Sequence, residues 1–223
     1  MLNQPSSHSS TDDIGDDSVF GRIASDLHRQ GFSVIPNALP EALAAGLFSQ
    51  VLNMDSGDFS SAGIGRNTDL TLNQFVRRDE IHWIEGHSPP EQLWLTWTHR
   101  LQQYLNRRLF LGLFSYESHF AHYQPGDFYR KHLDAFRGEA NRRLSTVAYL
   151  NPGWLPDDGG ELVIYEPDTE QEITKVTPAY GTLVVFLSEE FPHEVLTAKR
   201  HRYSIAGWFR VNGSSYDRVD PPR

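Results

Sequence analysis

Apolar residues near the start of the chain recur at the three- and four-residue spacing of an amphipathic helix. This run stops at Gly31, a residue type that commonly follows a helix C-terminus, and it consists of Val19, Phe20, Ile23 and Leu27. The next residues, 32–35, alternate in the manner of a short strand. We therefore predict a first helix that leads directly into a strand.

Two further helices are expected before the middle of the chain. The second begins at Pro40-Glu41 and runs to about Met54, with apolar residues at Leu43, Leu47 and Val51. The third has the strongest start signal, because Ser88-Pro89-Pro90-Glu91 combines a capping box with prolines in the first helical turn. The N-terminal half is thus predicted to be largely helical.

From Leu113 onward the pattern changes to short β-rich runs that are separated by Pro, Gly and Asp. About eight strands are predicted, at 113–123, 127–133, 143–150, 161–166, 172–176, 181–187, 193–197 and 201–211. Helices followed by consecutive strands favour segregated elements over alternating βαβ units. We predict a mainly β fold with supporting helices, a double-stranded β-helix (jelly roll, cupin-like) whose N-terminal helices pack on one sheet.

Three segments fall outside these elements. Residues 1–16 and 212–223 are poor in large apolar groups and are predicted to be flexible tails around a single domain at 17–211. Residues 55–87 lack strong periodicity. A loop of this length is often a binding loop or a lid, and an ordinary surface hairpin is the alternative.

Composition excludes several classes of protein. The net charge of −9 argues against a nucleic-acid surface, and the absence of cysteine excludes disulfides and thiolate metal sites. The sequence shows neither a signal peptide nor a run of about 18 apolar residues, so we expect no membrane segment and a cytoplasmic protein. Any metal would be held by His, Asp or Glu.

One spacing pattern points to such a metal. His132 and Asp134 lie two residues apart on a predicted strand, so their side chains share a face, and His193 follows another strand 61 residues later. Two imidazoles and a carboxylate on one side of a metal are typical of non-haem Fe(II) oxygenases. Each histidine alone is more often a hydrogen-bonded core or surface residue, but the joint pattern favours a metal site.

Arg202 is the second candidate for chemistry. It shares one face of the last predicted strand with Ser204, Ala206 and Trp208. An arginine that points into a barrel is unfavourable unless a carboxylate meets it. A small dicarboxylate co-substrate would supply a bidentate partner, and an internal Asp or Glu is the alternative.

With these residues in place, the chain resembles the Fe(II)/2-oxoglutarate dioxygenases, and within them the prolyl 4-hydroxylases, over roughly residues 20–210. The resemblance also includes Tyr123, Tyr149-Leu150-Asn151, Gly159-Gly160-Glu161-Leu162 and the strand from Arg202 to Trp208. Residues 77–86 look like the mobile substrate loop of the branch that hydroxylates hypoxia-inducible factor. The chain is similar to bacterial members of that branch.

The resemblance implies roles for particular residues. His132, Asp134 and His193 would bind Fe(II), Arg202 would hold the distal carboxylate of 2-oxoglutarate, and Tyr123 and Tyr149 would hydrogen-bond the same co-substrate. Trp208 would wall the iron pocket as part of the catalytic machinery. The residues expected to contact or gate the substrate are Arg77, Asp79 and Trp83, and by the same analogy Asp79 would pair with Arg142.

The implied activity is that of a 2-oxoglutarate-dependent, procollagen-proline-type prolyl 4-hydroxylase, which uses Fe(II), 2-oxoglutarate and O2, with ascorbate as reductant. The implied partner is a protein that contains the target proline, and relatives suggest elongation factor Tu. Two alternatives stay open. The chain could hydroxylate a free amino acid or another small molecule, or it could be a non-catalytic, oxygen-sensing jelly-roll module.

Overall fold

The structure is a computed structural model that describes residues 11–55, 57–61, 76–135, 141–169 and 171–212. It contains three α-helices, which are α1 (Thr11–Gln30), α2 (Glu41–Leu52) and α3 (Pro89–Leu109). The predicted N-terminal tail is too long, because α1 already begins at Thr11 and residues 11–16 are helical. Residues 1–10 and the predicted C-terminal tail from 213 onward lie outside the described residues.

Within the described residues, eleven strands form two antiparallel sheets. The strands are β1 (Phe32–Ile35), β2 (Ser60–Ser61), β3 (Glu80–Trp83), β4 (Leu113–Tyr123), β5 (Tyr129–His132), β6 (Arg142–Tyr149), β7 (Leu162–Tyr165), β8 (Glu172–Val176), β9 (Leu183–Leu187), β10 (His193–Val195) and β11 (Arg202–Val211). The major sheet has the order β1-β9-β6-β11-β4-β3-β2, and the minor sheet has the order β5-β10-β7-β8. The predicted fold class, a double-stranded β-helix with N-terminal helices on one sheet, is confirmed.

Alternation along the major sheet divides the apolar side chains between two cores. Side chains such as Phe120, Leu144 and Val185 point outward, where they join the buried apolar faces of the three helices. Their neighbours Ala121, Tyr149 and Phe186 point inward and form a second core with the minor sheet. Because side chains on a strand alternate between faces, one sheet supports the helices and lines the barrel.

The start of α3 is held by a network around one buried carboxylate. The side chain of Ser88 accepts a hydrogen bond from the backbone N–H of Glu91, as the capping box predicts. The Glu91 carboxylate accepts bonds from the backbone N–H groups of Gly86 and His87, at 2.9 and 3.0 Å, and from Gln50 of α2, at 2.6 Å. Glu91 thus ties two helices to the segment that leaves β3.

The ends of the predicted loop 55–87 belong to the major sheet. β2 pairs with β3, and β3 pairs with β4 in a register that places Trp83 opposite His119. Residues 62–75, between these strands, lie outside the described residues. The sequence pattern did not locate β2 and β3, because segment 55–87 shows no strong periodicity.

None of the described helices combines the length and the apolar character that a membrane-spanning helix needs.

The network at Glu91 predicts a stability effect. Glu91→Ala removes the acceptor of the backbone N–H groups of residues 85–87, so the free energy of unfolding should fall by roughly 2–4 kcal/mol in urea denaturation. Glu85→Ala is the matched control, since the Glu85 side chain is 67% exposed and its loss should change stability by about 0.5 kcal/mol or less. Equal effects of the two substitutions would contradict the role assigned to Glu91.

Candidate active site

Two neighbouring strands of the minor sheet bring the three predicted metal ligands together. His132 ends β5, His193 begins β10, and the two residues are paired partners in the antiparallel register. Asp134 follows His132 by two residues. One ligand atom from each side chain lies within 4.8 Å of the other two, so the cluster could hold a metal ion. The structure therefore joins residues that are 61 positions apart in the sequence.

Hydrogen bonds fix which ring nitrogens are available to a metal. Nδ1 of His132 lies 2.8 Å from the carbonyl oxygen of Arg130, and Nδ1 of His193 lies 3.0 Å from that of Phe191. Since a carbonyl oxygen only accepts, each Nδ1 carries the proton and each Nε2 keeps its lone pair. Burial, followed by the charge of His132, lowers the pKa of His193 to about 4, so this ring is neutral near pH 7.

The Asp134 carboxylate is oriented from the major sheet. Its Oδ2 accepts a 2.6 Å hydrogen bond from Ser145 of β6, and Ser145 in turn contacts Ser188 at 2.9 Å. Burial by itself would raise the pKa of Asp134, but the facing His193 and His132 hold it well below its usual value. The carboxylate is therefore ionised and fixed in direction, as a metal ligand needs to be.

Arg202 is the first residue of β11 and lies on the inner face of the sheet, at the end of the strand away from Trp208. It is 1% exposed, and its guanidinium donates to the carbonyl of Gly160 at 2.8 Å and to the hydroxyl of Ser204 at 3.1 Å. Among the described residues no carboxylate forms an ion pair with it, so the internal Asp or Glu considered from the sequence is not found there. A buried, unpaired guanidinium fits an anionic ligand.

Two tyrosines complete this end of the pocket. The Arg202 guanidinium lies 4.7 Å from the ring centre of Tyr123 and 5.1 Å from that of Tyr149. The buried hydroxyl of Tyr149 has no hydrogen-bond acceptor among the described residues, and burial raises its pKa to about 12. It is thus a neutral, buried donor beside the Arg202 guanidinium, which suits a carboxylate ligand.

Gly160 allows the close approach of Arg202. Its φ is +69°, and a Cβ atom at this position would lie 2.9 Å from Cδ of Arg202. Both the left-handed backbone and the space therefore require glycine. The Gly159-Gly160 pair noted in the sequence has a physical role in seating the arginine.

The segment before β3 lies beside β5. The backbone of Arg78 bonds to Phe128, and that of Arg130 bonds to Val76. The guanidinium of Arg77 forms two hydrogen bonds with the buried carboxylate of Asp79, at 2.7 and 2.6 Å, and covers the ring of Tyr129 at 4.4 Å. This places two of the three predicted substrate residues next to the strand that ends in His132.

The pairing of Asp79 with Arg142 expected by analogy is wrong in this structure. Asp79 pairs with Arg77, whereas Arg142 donates to Glu117 at 3.1 and 3.2 Å and lies 3.7 Å above the ring centre of Trp208. The reason is proximity along the chain, because Arg77 and Asp79 lie on the same side of one extended segment. Trp83, the third predicted substrate residue, is 45% exposed on β3.

Sequence reasoning missed Ser145 and Glu117. Both follow from alternation: Ser145 lies four residues before Tyr149 on β6, and Glu117 lies six residues before Tyr123 on β4. Even spacings place them on the same inner face as the two tyrosines. A count along each strand from a known pocket residue would therefore have found them.

The bond from Ser145 to Asp134 predicts an effect on metal binding. Ser145→Ala removes the group that orients the carboxylate, so Mn(II) affinity in calorimetric titration should fall by roughly 10-fold. Ser33→Ala is the matched control, because buried Ser33 also donates to a carboxylate, that of Asp26, but on β1 away from the triad. Unchanged Mn(II) affinity in Ser145→Ala would show that Asp134 does not depend on this bond.

Comparison with known proteins agrees with the geometry. A family model for the 2OG-Fe(II) oxygenase superfamily matches residues 118–210, which contain the triad and Arg202. Among curated proteins, the chain is 28% identical over 144 residues to the hypoxia-inducible factor prolyl hydroxylase of Caenorhabditis elegans. The aligned residues cover 60% of this chain and 20% of that protein. The chain spans between 17% and 56% of the length of six curated relatives.

Solved structures extend the match to most of the chain. A prolyl-4-hydroxylase from Pseudomonas putida is 40% identical, with a TM-score of 0.78 over 87% of this chain and 100% of that one. A prolyl hydroxylase from Trichoplax adhaerens, in complex with a hypoxia-inducible factor peptide, is 28% identical, with a TM-score of 0.80 over 91% and 94%. The chain therefore belongs to the 2-oxoglutarate- and Fe(II)-dependent oxygenase superfamily, in which it is similar to the prolyl hydroxylases.

Proposed function

We propose that this protein is an Fe(II)- and 2-oxoglutarate-dependent dioxygenase that hydroxylates a prolyl residue at C4 in a protein substrate. The observation that carries the proposal is the buried guanidinium of Arg202, which has no carboxylate partner among the described residues and shares one barrel with the His132, Asp134 and His193 cluster. A metal cluster and an anion site in one barrel are what an oxygenase of this superfamily requires.

The proposal gives each pocket residue a task. His132, Asp134 and His193 hold Fe(II), with each imidazole offering Nε2 because Nδ1 is occupied by a backbone carbonyl. Arg202 pairs with the distal carboxylate of 2-oxoglutarate. Tyr123 and Tyr149 donate hydrogen bonds to the co-substrate, since burial raises the pKa of both hydroxyls and keeps them protonated.

The bound iron and 2-oxoglutarate would supply the chemistry that transfers an oxygen atom from O2 to an unactivated C–H bond. The protein contributes orientation and the exclusion of water. Trp208 walls the iron pocket and is fixed by the guanidinium of Arg142 above its ring. Because the guanidinium holds the ring in place, the wall that Trp208 forms keeps its position.

Two observations support a protein as the substrate. The Trichoplax adhaerens relative is described in complex with a peptide of hypoxia-inducible factor. In the present chain, Trp83 exposes 45% of its surface beside the pocket, and an exposed aromatic residue is typical of a contact with another polypeptide. Arg77, Asp79 and Trp83 would contact or gate this substrate, with buried Asp79 holding Arg77 in place. Elongation factor Tu is the first candidate to examine.

Arg202→Met tests the co-substrate site. The substitution removes the cation, so the affinity of the Mn(II)-loaded protein for 2-oxoglutarate should fall by roughly 100-fold or more in calorimetry. Arg200→Met is the matched control, because the side chain of Arg200 is 46% exposed and pairs with Asp158. Retention of wild-type affinity in Arg202→Met would exclude this residue as the carboxylate partner.

Direct detection of product tests the reaction. Wild-type enzyme with Fe(II), 2-oxoglutarate and ascorbate as reductant is incubated with purified elongation factor Tu and, separately, with a whole-cell lysate. Mass spectrometry should find an added oxygen on proline, with succinate release that depends on the protein substrate, and His132→Ala should abolish both. Fragmentation and comparison with 4-hydroxyproline standards assign the carbon.

The same assay separates the alternatives. Oxygen added to free proline or another small molecule, with no modified protein, would replace the proposal by a small-molecule hydroxylase. No turnover of any kind, in protein that binds Mn(II) and 2-oxoglutarate, would favour the non-catalytic module. Fractionation of cells that express the tagged protein would test the expected cytoplasmic location.

A further inference from the structure

Three inner-face residues carry buried polar atoms that have no hydrogen-bond partner within the described part of the chain. They are both ring nitrogens of His119, the hydroxyl of Tyr149 and Nε1 of Trp208. Buried polar atoms are almost always paired, because an unpaired one loses its bonds to water without compensation. The Tyr149 hydroxyl is explained by the co-substrate proposed beside Arg202. His119 and Trp208 need a different explanation.

Strand register separates these residues into two groups. β11 places Arg202 opposite Tyr123 and Ser204 opposite Tyr149, whereas Ala206 is opposite His119. The level of His119 is thus four residues along β11 from Arg202, which corresponds to about 13 Å. Trp208 lies two residues farther, opposite Ser145, the partner of Asp134. His119 and Trp208 therefore flank the metal cluster on the side away from Arg202.

The surroundings of His119 lead from the pocket to the surface. Its ring lies 5.4 Å from that of Trp208 and 5.1 Å from that of Trp83, measured between centres. His119 is 2% exposed and Trp83 is 45% exposed. The three rings thus lie in a row from exposed Trp83 to Trp208, which is opposite the Asp134 partner Ser145, and His119 is the middle ring.

The protonation state of His119 decides what it can bind. Burial, and then the positive charges of Arg77 and Arg142, lower its pKa to about 3, although Asp134 acts in the opposite direction. The ring is therefore neutral near pH 7, with one N–H donor and one acceptor nitrogen. A peptide group has the complementary pair, one carbonyl oxygen and one N–H.

We propose that His119 is a specificity-determining residue that hydrogen-bonds a peptide group of the polypeptide substrate near its target residue. This inference rests on the proposed function, because it requires a polypeptide in the pocket. Trp83 covers the imidazole in the structure, and the substrate displaces that exposed ring when it enters. The imidazole nitrogens, which are unpaired in the free protein, then gain hydrogen bonds to the substrate. This gain in free energy on binding increases the affinity for a peptide.

A purely structural His119 predicts a different response to mutation. If the imidazole only filled space, its replacement would disturb the barrel, the thermal stability and every activity together. If the imidazole instead pairs only with the bound substrate, replacing it with an apolar side chain of similar size removes two unpaired nitrogens from the free protein. The free protein is then at least as stable as wild type. His119→Leu therefore separates the two roles, and His119→Gln is the matched variant because glutamine keeps a neutral donor and acceptor.

The experiment compares wild type, His119→Leu and His119→Gln, each loaded with iron and 2-oxoglutarate. The probe is a whole-cell lysate in which oxygen addition to proline is followed by mass spectrometry. At dilute lysate, His119→Leu should modify proline at least about 10-fold more slowly than wild type, whereas His119→Gln should retain most of the rate. The melting temperature of His119→Leu should not fall below that of wild type.

The outcomes separate this inference from the function on which it rests. If wild type modifies proline and His119→Leu does so at the same rate, the role of His119 is overturned and the proposed function stands. A joint loss of melting temperature and proline modification in His119→Leu, not restored by glutamine, also overturns it in favour of a structural role. If wild type modifies no proline, the proposed function fails and this inference fails with it.

Discussion

The pairing of β11 with β4 on one side and β6 on the other fixes which side chains enter the barrel. This register aligns Arg202 with Tyr123, Ser204 with Tyr149, and Trp208 with Ser145. A slip of one residue would turn each of these groups toward the helices and replace them with apolar side chains such as Ile205 and Phe209. The surroundings of Arg202 and the support of Asp134 therefore depend on the same backbone ladder.

The inner face accepts polar groups that would be unfavourable in an ordinary core. Arg202 is buried without a carboxylate partner in the described residues, and His119, Tyr149 and Trp208 have buried polar atoms without partners there. The outward face of the same sheet is apolar and packs on three helices. The larger apolar core thus lies on the helical side of the sheet, whereas the inner face carries these polar groups beside the second core.

The sequence predicted most of the fold because Pro, Gly and Asp delimit the β-rich runs after Leu113, including strands of only three or four residues. It also singled out His132, Asp134, His193 and Arg202, since their types and spacing are unusual for a core. The strands β2 and β3 and the start of α1 at Thr11 were not predicted, because the segments around them show no strong periodicity.

Contacts between side chains from different elements were harder to predict. The bond from Ser145 to Asp134 and the pairing of Arg142 with Glu117 join residues whose proximity is set by strand register, and a single sequence does not specify that register. The expected pairing of Asp79 with Arg142 was wrong because Arg77, two residues away on the same extended segment, binds the Asp79 carboxylate instead. Alternation identifies the face of a residue but not its partner across the barrel.

A crystal structure of the protein with Mn(II) and 2-oxoglutarate, prepared without oxygen, tests the central claim most directly. The account predicts Mn(II) on Nε2 of His132, Nε2 of His193 and the carboxylate of Asp134, with the distal carboxylate of 2-oxoglutarate paired to Arg202. A metal bound elsewhere, or a co-substrate whose carboxylates both lie away from Arg202, would contradict it.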